Sequence, residues 1–267
     1  MGSNLSFGWQ TAILAGAVVA TILAAVVHIR FGLYLVGITG SVACGKSTFC
    51  DGLRHAGQKV IDLDEITHKL QLPGTSTWHA ILKEFSGCSS RELNLPLLDP
   101  VTKAINRTSL SQLVFQDRRK LKALNRIMRL PILKEMLSQM FRAFFVDGFK
   151  VVYLEAPLLF ESGLNYICDL SITVESPFNE QMSRIIRRLS CNEAEARSRI
   201  EAQMPQSEKM ARAGLVITNT GTKQDLLDRA LYLTPLLNRF LNKATVVVWI
   251  LAASISMPIA ALLIRSS

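Results

Sequence analysis

Five short apolar runs punctuate the middle of the chain: Leu33-Tyr34-Leu35-Val36-Gly37-Ile38, Val60-Ile61, Val151-Val152-Tyr153-Leu154, Leu170-Ser171-Ile172-Thr173-Val174 and Leu215-Val216-Ile217. Each is too short for a helix and reads as a strand. Stretches of helical character lie between them, for example residues 102–115 and 117–128. That alternation predicts an α/β fold, a parallel sheet with helices on both faces. There is no internal repeat and no low-complexity segment.

Two further apolar runs, residues 11–27 and 245–264, are longer and carry no charged side chain. They account for a composition that is 49% hydrophobic over 267 residues and for a mean hydropathy of +0.26. Without them the middle falls to roughly 44% hydrophobic, an ordinary value for one globular domain. At about 1.5 Å per residue the first run reaches about 26 Å, a short membrane span. Residues 1–10 contain no Lys or Arg, which favours a retained anchor over a cleaved leader. The second run reads as a tail anchor in which Pro258 is tolerable. Met1-Gly2-Ser3-Asn4-Leu5-Ser6 also fits the pattern for acylation of Gly2. The expected division is an anchor region at 1–32, a globular domain at 33–240 and a membrane anchor at 241–267, with one apolar helix at each end. Arg30, Arg239 and Lys243 on the domain side, against Arg265 beyond, place the domain in the cytosol.

The net charge is +9, from 30 Lys and Arg against 21 Asp and Glu. The cations form no long run and few aromatics sit among them, so the charge suits a small polyanionic substrate and not nucleic acid. Cys44, Cys50, Cys88, Cys168 and Cys191 are scattered, with no Cys-x-x-Cys pair, which suits a reducing compartment and offers no zinc spacing.

Gly40-Ser41-Val42-Ala43-Cys44-Gly45-Lys46-Ser47 follows the first predicted strand and precedes a helical stretch. It matches the phosphate-binding loop G-x-x-x-x-G-K-[ST]. Glycines let backbone N–H groups turn onto phosphate oxygens, Lys46 balances the β and γ charge, and the Ser47 hydroxyl suits Mg2+; Thr48 closes the loop. The second strand runs into Asp62-Leu63-Asp64-Glu65. Strand alternation would put Asp62 and Asp64 on one side at the nucleotide edge, where a carboxylate can take the proton of an attacking hydroxyl; the alternative is a helix N-terminus decorated with acids.

The third strand ends in Leu154-Glu155-Ala156-Pro157-Leu158-Leu159-Phe160-Glu161. With Gly37-Ile38-Thr39-Gly40 and Asp62-Leu63-Asp64, this segment resembles the dephospho-coenzyme A kinase family. Asn106-Arg107 and Leu113-Val114-Phe115 resemble its acceptor-side helices. Gln181, Arg184, Arg188, Glu195, Ala196, Arg197, Arg199, Ile200, Gln203, Met204, Pro205 and Lys209 reproduce its lid pattern, and Asn219 and Gly221 its terminal pair. The likeness spans roughly residues 33–235.

That resemblance implies a three-layer phosphate-loop kinase with an acceptor-binding helical insertion near 67–145 and a lid near 177–210. It implies transfer of the γ-phosphoryl of ATP to the ribose 3′-hydroxyl of dephospho-CoA, with Mg2+ as cofactor. By position Asp64 becomes the general base, Thr39 and Asp62 support the site, and Arg188 answers charge on the transferring group, with Arg184 and Arg199 behind it. The chain departs from the family where Ser41 replaces a glycine, where Cys44 replaces a smaller residue, and where Arg129-Leu130-Pro131 replaces a histidine-proline pair near the acceptor pocket. Cys44 is a candidate for oxidation or acylation, since helix N-termini lower thiol pKa, although packing is the plainer role. His68 reads as an ordinary helix residue, and Trp78 and Phe85 as packing of the insertion.

Another phosphate-loop kinase of small molecules and a catalytically silent membrane-tethered scaffold are the alternatives. The expected small-molecule partners are ATP and dephospho-CoA, with membrane lipid met through the terminal helices. An outer mitochondrial or endoplasmic reticulum surface suits cytosolic substrates.

Overall fold

The computed structural model describes residues 32–85, 97–239 and 241. The apolar runs at 11–27 and 245–264, with the terminal helices and anchors expected from them, lie outside these residues, as does Cys88. Among the described residues no helix is long and apolar enough to cross a membrane.

All five predicted strands form: β1 (Tyr34–Thr39), β2 (Lys59–Asp62), β3 (Val151–Glu155), β4 (Leu170–Glu175) and β5 (Leu215–Thr218). They pair in parallel in the order β2-β3-β1-β4-β5. β1 and β3 are central and wholly buried, which is why they read as continuous apolar runs. Their alternate residues feed two cores. Tyr34, Val36, Ile38, Val151 and Tyr153 meet Phe49 and Leu53 of α1 (Lys46–His55) on one face. Leu35, Val152 and Leu154 meet Ile66, Met136 and Ala143 on the other.

α2 (Leu63–Leu70), α3 (Ser76–Phe85), α4 (Arg107–Gln116) and α5 (Arg118–Phe141) lie between β2 and β3, where the helical insertion is expected. Ile81, Phe85, Leu97, Leu110, Leu113 and Met128 give it a core of its own, against which Trp78 packs. The helix expected over 102–115 begins only at Arg107. Asp99 accepts bonds from the Val101 and Thr102 amides and the Thr102 hydroxyl, and Leu98 bridges Ile105, so this backbone is spent on a turn. Asn106 then caps α4 through the Thr108 and Ser109 amides. Pro131 lies inside α5. After β4 come α6 (Phe178–Leu189), α7 (Glu193–Glu201) and α8 (Gln206–Arg212); residues 223–239 form α9.

Candidate active site

The phosphate loop leaves β1 at the carboxyl edge of the sheet and enters α1 directly. A Cβ on Gly40 would lie 2.4 Å from the Val174 carbonyl oxygen and 2.5 Å from Cys44 Sγ, so only glycine lets the loop rest on β4. Ala43 and Gly45 adopt left-handed conformations, at φ 58° and 97°. Asn219 steadies the loop, its Nδ2 donating to the Cys44 carbonyl at 2.8 Å. No acidic residue stands in the first turn of α1, and no side chain caps it. Its free N–H groups and positive dipole end are therefore left for an anion.

Residues 40–48 line a cavity of about 490 Å³ together with Asp64, Pro157, Arg184, Arg187, Arg188 and Gln203. Asp64 reaches it by a route other than strand alternation. β2 stops at Asp62, whose side chain caps α2 by accepting from the Asp64 and Glu65 amides at 2.8 and 3.1 Å. Asp64 is thus a first-turn helix residue, and Asp62 acts by fixing that turn. Thr39 is buried and donates to the Pro157 carbonyl at 3.0 Å.

Glu155, to which the sequence reading gives no role, is the hidden member of the site. It is 1% exposed at the end of β3, facing α1. Its Oε1 accepts from Lys46 Nζ at 2.5 Å and from Ser47 Oγ at 3.2 Å, and its Oε2 from Arg54 at 3.4 Å. A carboxylate closing an otherwise apolar buried strand was the available signal, because a buried charge needs partners. Burial alone would push Glu155 up, but the Lys46 charge and hydrogen bond, with help from Cys50 and Arg54, hold it below the usual range. Burial works against the Lys46 ammonium, and Glu155 outweighs it, raising its pKa. Asp64 titrates above an ordinary aspartate because its cleft partly desolvates it. Lys46 and Arg107 oppose that shift while Asp62 and Glu155 add to it.

The arginines of α6 and α7 divide. Arg184 donates to the Ala43 carbonyl at 3.3 Å and to Ser176 Oγ at 3.1 Å, tying α6 to the loop. Arg187 and Arg188 present the next turn of α6 to the cavity. Arg199 does not join them; it pairs with Glu195 at 3.1 Å, both half exposed on α7. Gln203 supplies an unexpected contact, its Oε1 accepting from the Val42 amide at 3.0 Å. Lys209 is fully buried; its Nζ donates to the Pro157 carbonyl at 2.7 Å and pairs with Glu161 at 3.1 Å. Glu161 also accepts from the Met204 amide. α8 and the segment before it are thereby latched to the loop that follows β3.

Cys44 is packing. It is 0% exposed, and burial raises its thiol to about 11, against the activation that a helix N-terminus would give. Among the described residues no group of three His, Cys, Asp or Glu stands ready for a metal ion. The Ser47 hydroxyl beside the Glu155 carboxylate is an all-oxygen pair that fits a hard cation sharing its remaining ligands with phosphates.

A family model described as dephospho-CoA kinase matches residues 34–225. A dephospho-CoA kinase domain-containing protein of Danio rerio is 35% identical over 194 residues, 72% of this chain and 80% of the relative. A dephospho-CoA kinase of Geobacillus kaustophilus is 36% identical over 190 residues, 71% of this chain and 90% of the relative. A crystal structure of a Thermus thermophilus protein superposes with a TM-score of 0.63 at 30% identity, covering 76% of this chain and 96% of that one.

Proposed function

The chain belongs to the dephospho-CoA kinase family, and on that premise we propose how its own residues perform the family's reaction. It transfers the γ-phosphoryl group of ATP to the ribose 3′-hydroxyl of dephospho-CoA, giving coenzyme A and ADP, the last step of coenzyme A synthesis. The observation that carries the assignment of roles is the shared cavity, in which Asp64 faces the phosphate loop and the α6 arginines.

ATP lays its phosphates over the N–H groups of the loop and the start of α1, with Lys46 held charged beside them by Glu155. Asp64 accepts the proton of the attacking hydroxyl. Arg188 and Arg187 answer the charge that spreads over the transferring phosphoryl oxygens, and Arg184 holds their helix against the loop. Mg2+ accompanying the nucleotide would be held by Ser47 and Glu155, and supplies neutralisation of phosphate charge. Closure of the lid excludes water, so that phosphoryl goes to the acceptor. The helical insertion is the acceptor side, with Arg107 near enough to Asp64 to act on its charge.

The uncharged runs at 11–27 and 245–264 support membrane anchoring, the flanking Arg30, Arg239 and Lys243 support a cytosolic face for the domain, and cytosolic substrates suit the mitochondrial outer membrane or endoplasmic reticulum. Release of ADP measured with dephospho-CoA, a nucleoside and a sugar acid as acceptors tests the substrate. Turnover confined to dephospho-CoA is expected; equal turnover with either alternative acceptor contradicts it.

A further inference from the structure

α5 has two unlike faces. Toward the sheet it buries Met136, and Ala143 of the following turn (Arg142–Val146) continues that face. Away from the sheet Leu130, Leu133, Leu137 and Phe141 are 71, 41, 49 and 62% exposed, and Val146 beyond them 68%. Steps of three, four and four residues put the first four on one side of a helix. Scattered exposed leucines are ordinary, whereas a continuous stripe marks a binding surface. The stripe borders a groove of about 720 Å³ that Leu70 and Thr77 complete.

The charge of the same helix says what would cover it. α5 contains seven Lys and Arg and one acid, Glu135, and Arg126, Arg129 and Lys134 are exposed among the apolar positions. A second copy would bring one cationic helix against another. The chain's own runs at 11–27 and 245–264 carry no charge, so they would leave these cations unanswered. A bilayer containing anionic lipid offers both an apolar interior and negative headgroups.

The position in the fold agrees. The Tyr34 amide donates to the Lys150 carbonyl at 2.8 Å and the Tyr34 hydroxyl to the Leu241 carbonyl at 2.7 Å. The chain leaving α5 toward β3 therefore meets both ends of the described domain at the amino edge of the sheet, while the phosphate loop lies at the carboxyl edge. The segments joined to those ends are the two apolar runs.

We propose that the stripe Leu130, Leu133, Leu137 and Phe141, with Arg126, Arg129 and Lys134, docks the kinase domain on an anionic lipid surface. Its placement rests in part on the reading of the terminal runs as membrane segments, and the test separates the two. The full chain is reconstituted in phosphatidylcholine–phosphatidylserine vesicles with a photoreactive benzoylphenylalanine in place of Phe141, or in place of Tyr232 on the opposite face of the sheet. Illumination should attach Phe141-substituted protein to phosphatidylserine and the Tyr232 control far less. Adducts to residues 1–31 or 242–267, adducts to a second copy, or lipid labelling no greater than the control would each overturn the proposal. Leu133→Gln with Leu137→Gln should reduce lipid adducts about tenfold. A raised KM for dephospho-CoA in that variant would instead assign the stripe to the acceptor pocket and overturn it. Carbonate extraction of the unmodified chain reads the terminal runs separately: extraction with lipid adducts intact defeats the anchors and not the α5 surface.

Discussion

Lys46 Nζ lies 2.5 Å from Oε1 of Glu155, joining the phosphate loop to the end of β3. Both side chains are buried, at 11 and 1% exposed, so each is the other's main compensation for leaving water. Before nucleotide arrives, the pair keeps Lys46 charged and aimed.

Glu155→Gln should lower stability by about 3 kcal/mol, since it strands a buried ammonium, and calorimetry reads it. Glu155 has a folded pKa below its unfolded one, so its contribution is present above the usual glutamate range and lost as pH falls through the folded pKa. The difference in Tm between wild type and variant should therefore shrink on acidification. A difference that is constant with pH would contradict the pairing.

Much of the fold was legible because buried parallel strands announce themselves as apolar runs, and all five strands lie where those runs are. The start of α4 was not, because Asp99 and Thr102 compete locally for the backbone. The phosphate loop could be read outright, since its chemistry is contiguous in sequence. Asp64 reaches the cavity from a helix N-terminus, the second of the two readings its sequence allows, and not by strand alternation, because Asp62 ends the strand and caps the helix. Gln203 stands in the lid pattern, but its contact with the Val42 amide and the role of Glu155 were out of reach, because they exist only once β3 lies beside β1 and the segment after α7 meets the phosphate loop.

Gln203 occupies the Val42 amide, one of the N–H groups available to phosphate. Gln203→Ala should remove that competitor and tighten ATP binding about threefold, the worth of a modest hydrogen bond. Calorimetric titration checks this; weaker binding would show that Gln203 aids the nucleotide instead.

Asp62 raises Asp64 through its charge while capping α2. Asn caps as well as Asp, so Asp62→Asn should keep stability within about 0.5 kcal/mol and let the Asp64 pKa fall. The acid limb of kcat/KM should then move to lower pH. A limb that stays in place would remove Asp64 from that ionisation.

Arg184 and Arg199 should separate cleanly. Arg184→Ala loses bonds to Ala43 and Ser176 and should cut kcat/KM for ATP by about tenfold or more. Arg199→Ala breaks only an exposed pair and should stay within about twofold. Steady-state kinetics with varied ATP decides it, and equal losses would contradict the division between α6 and α7.

The most direct test of the central claim is coenzyme A formation by Asp64→Asn at saturating ATP and dephospho-CoA. Loss of a general base predicts a fall in kcat of about a hundredfold or more, with ATP affinity and Tm near wild type. Near-normal turnover in a folded, ATP-binding variant would contradict the assignment of Asp64 as the base.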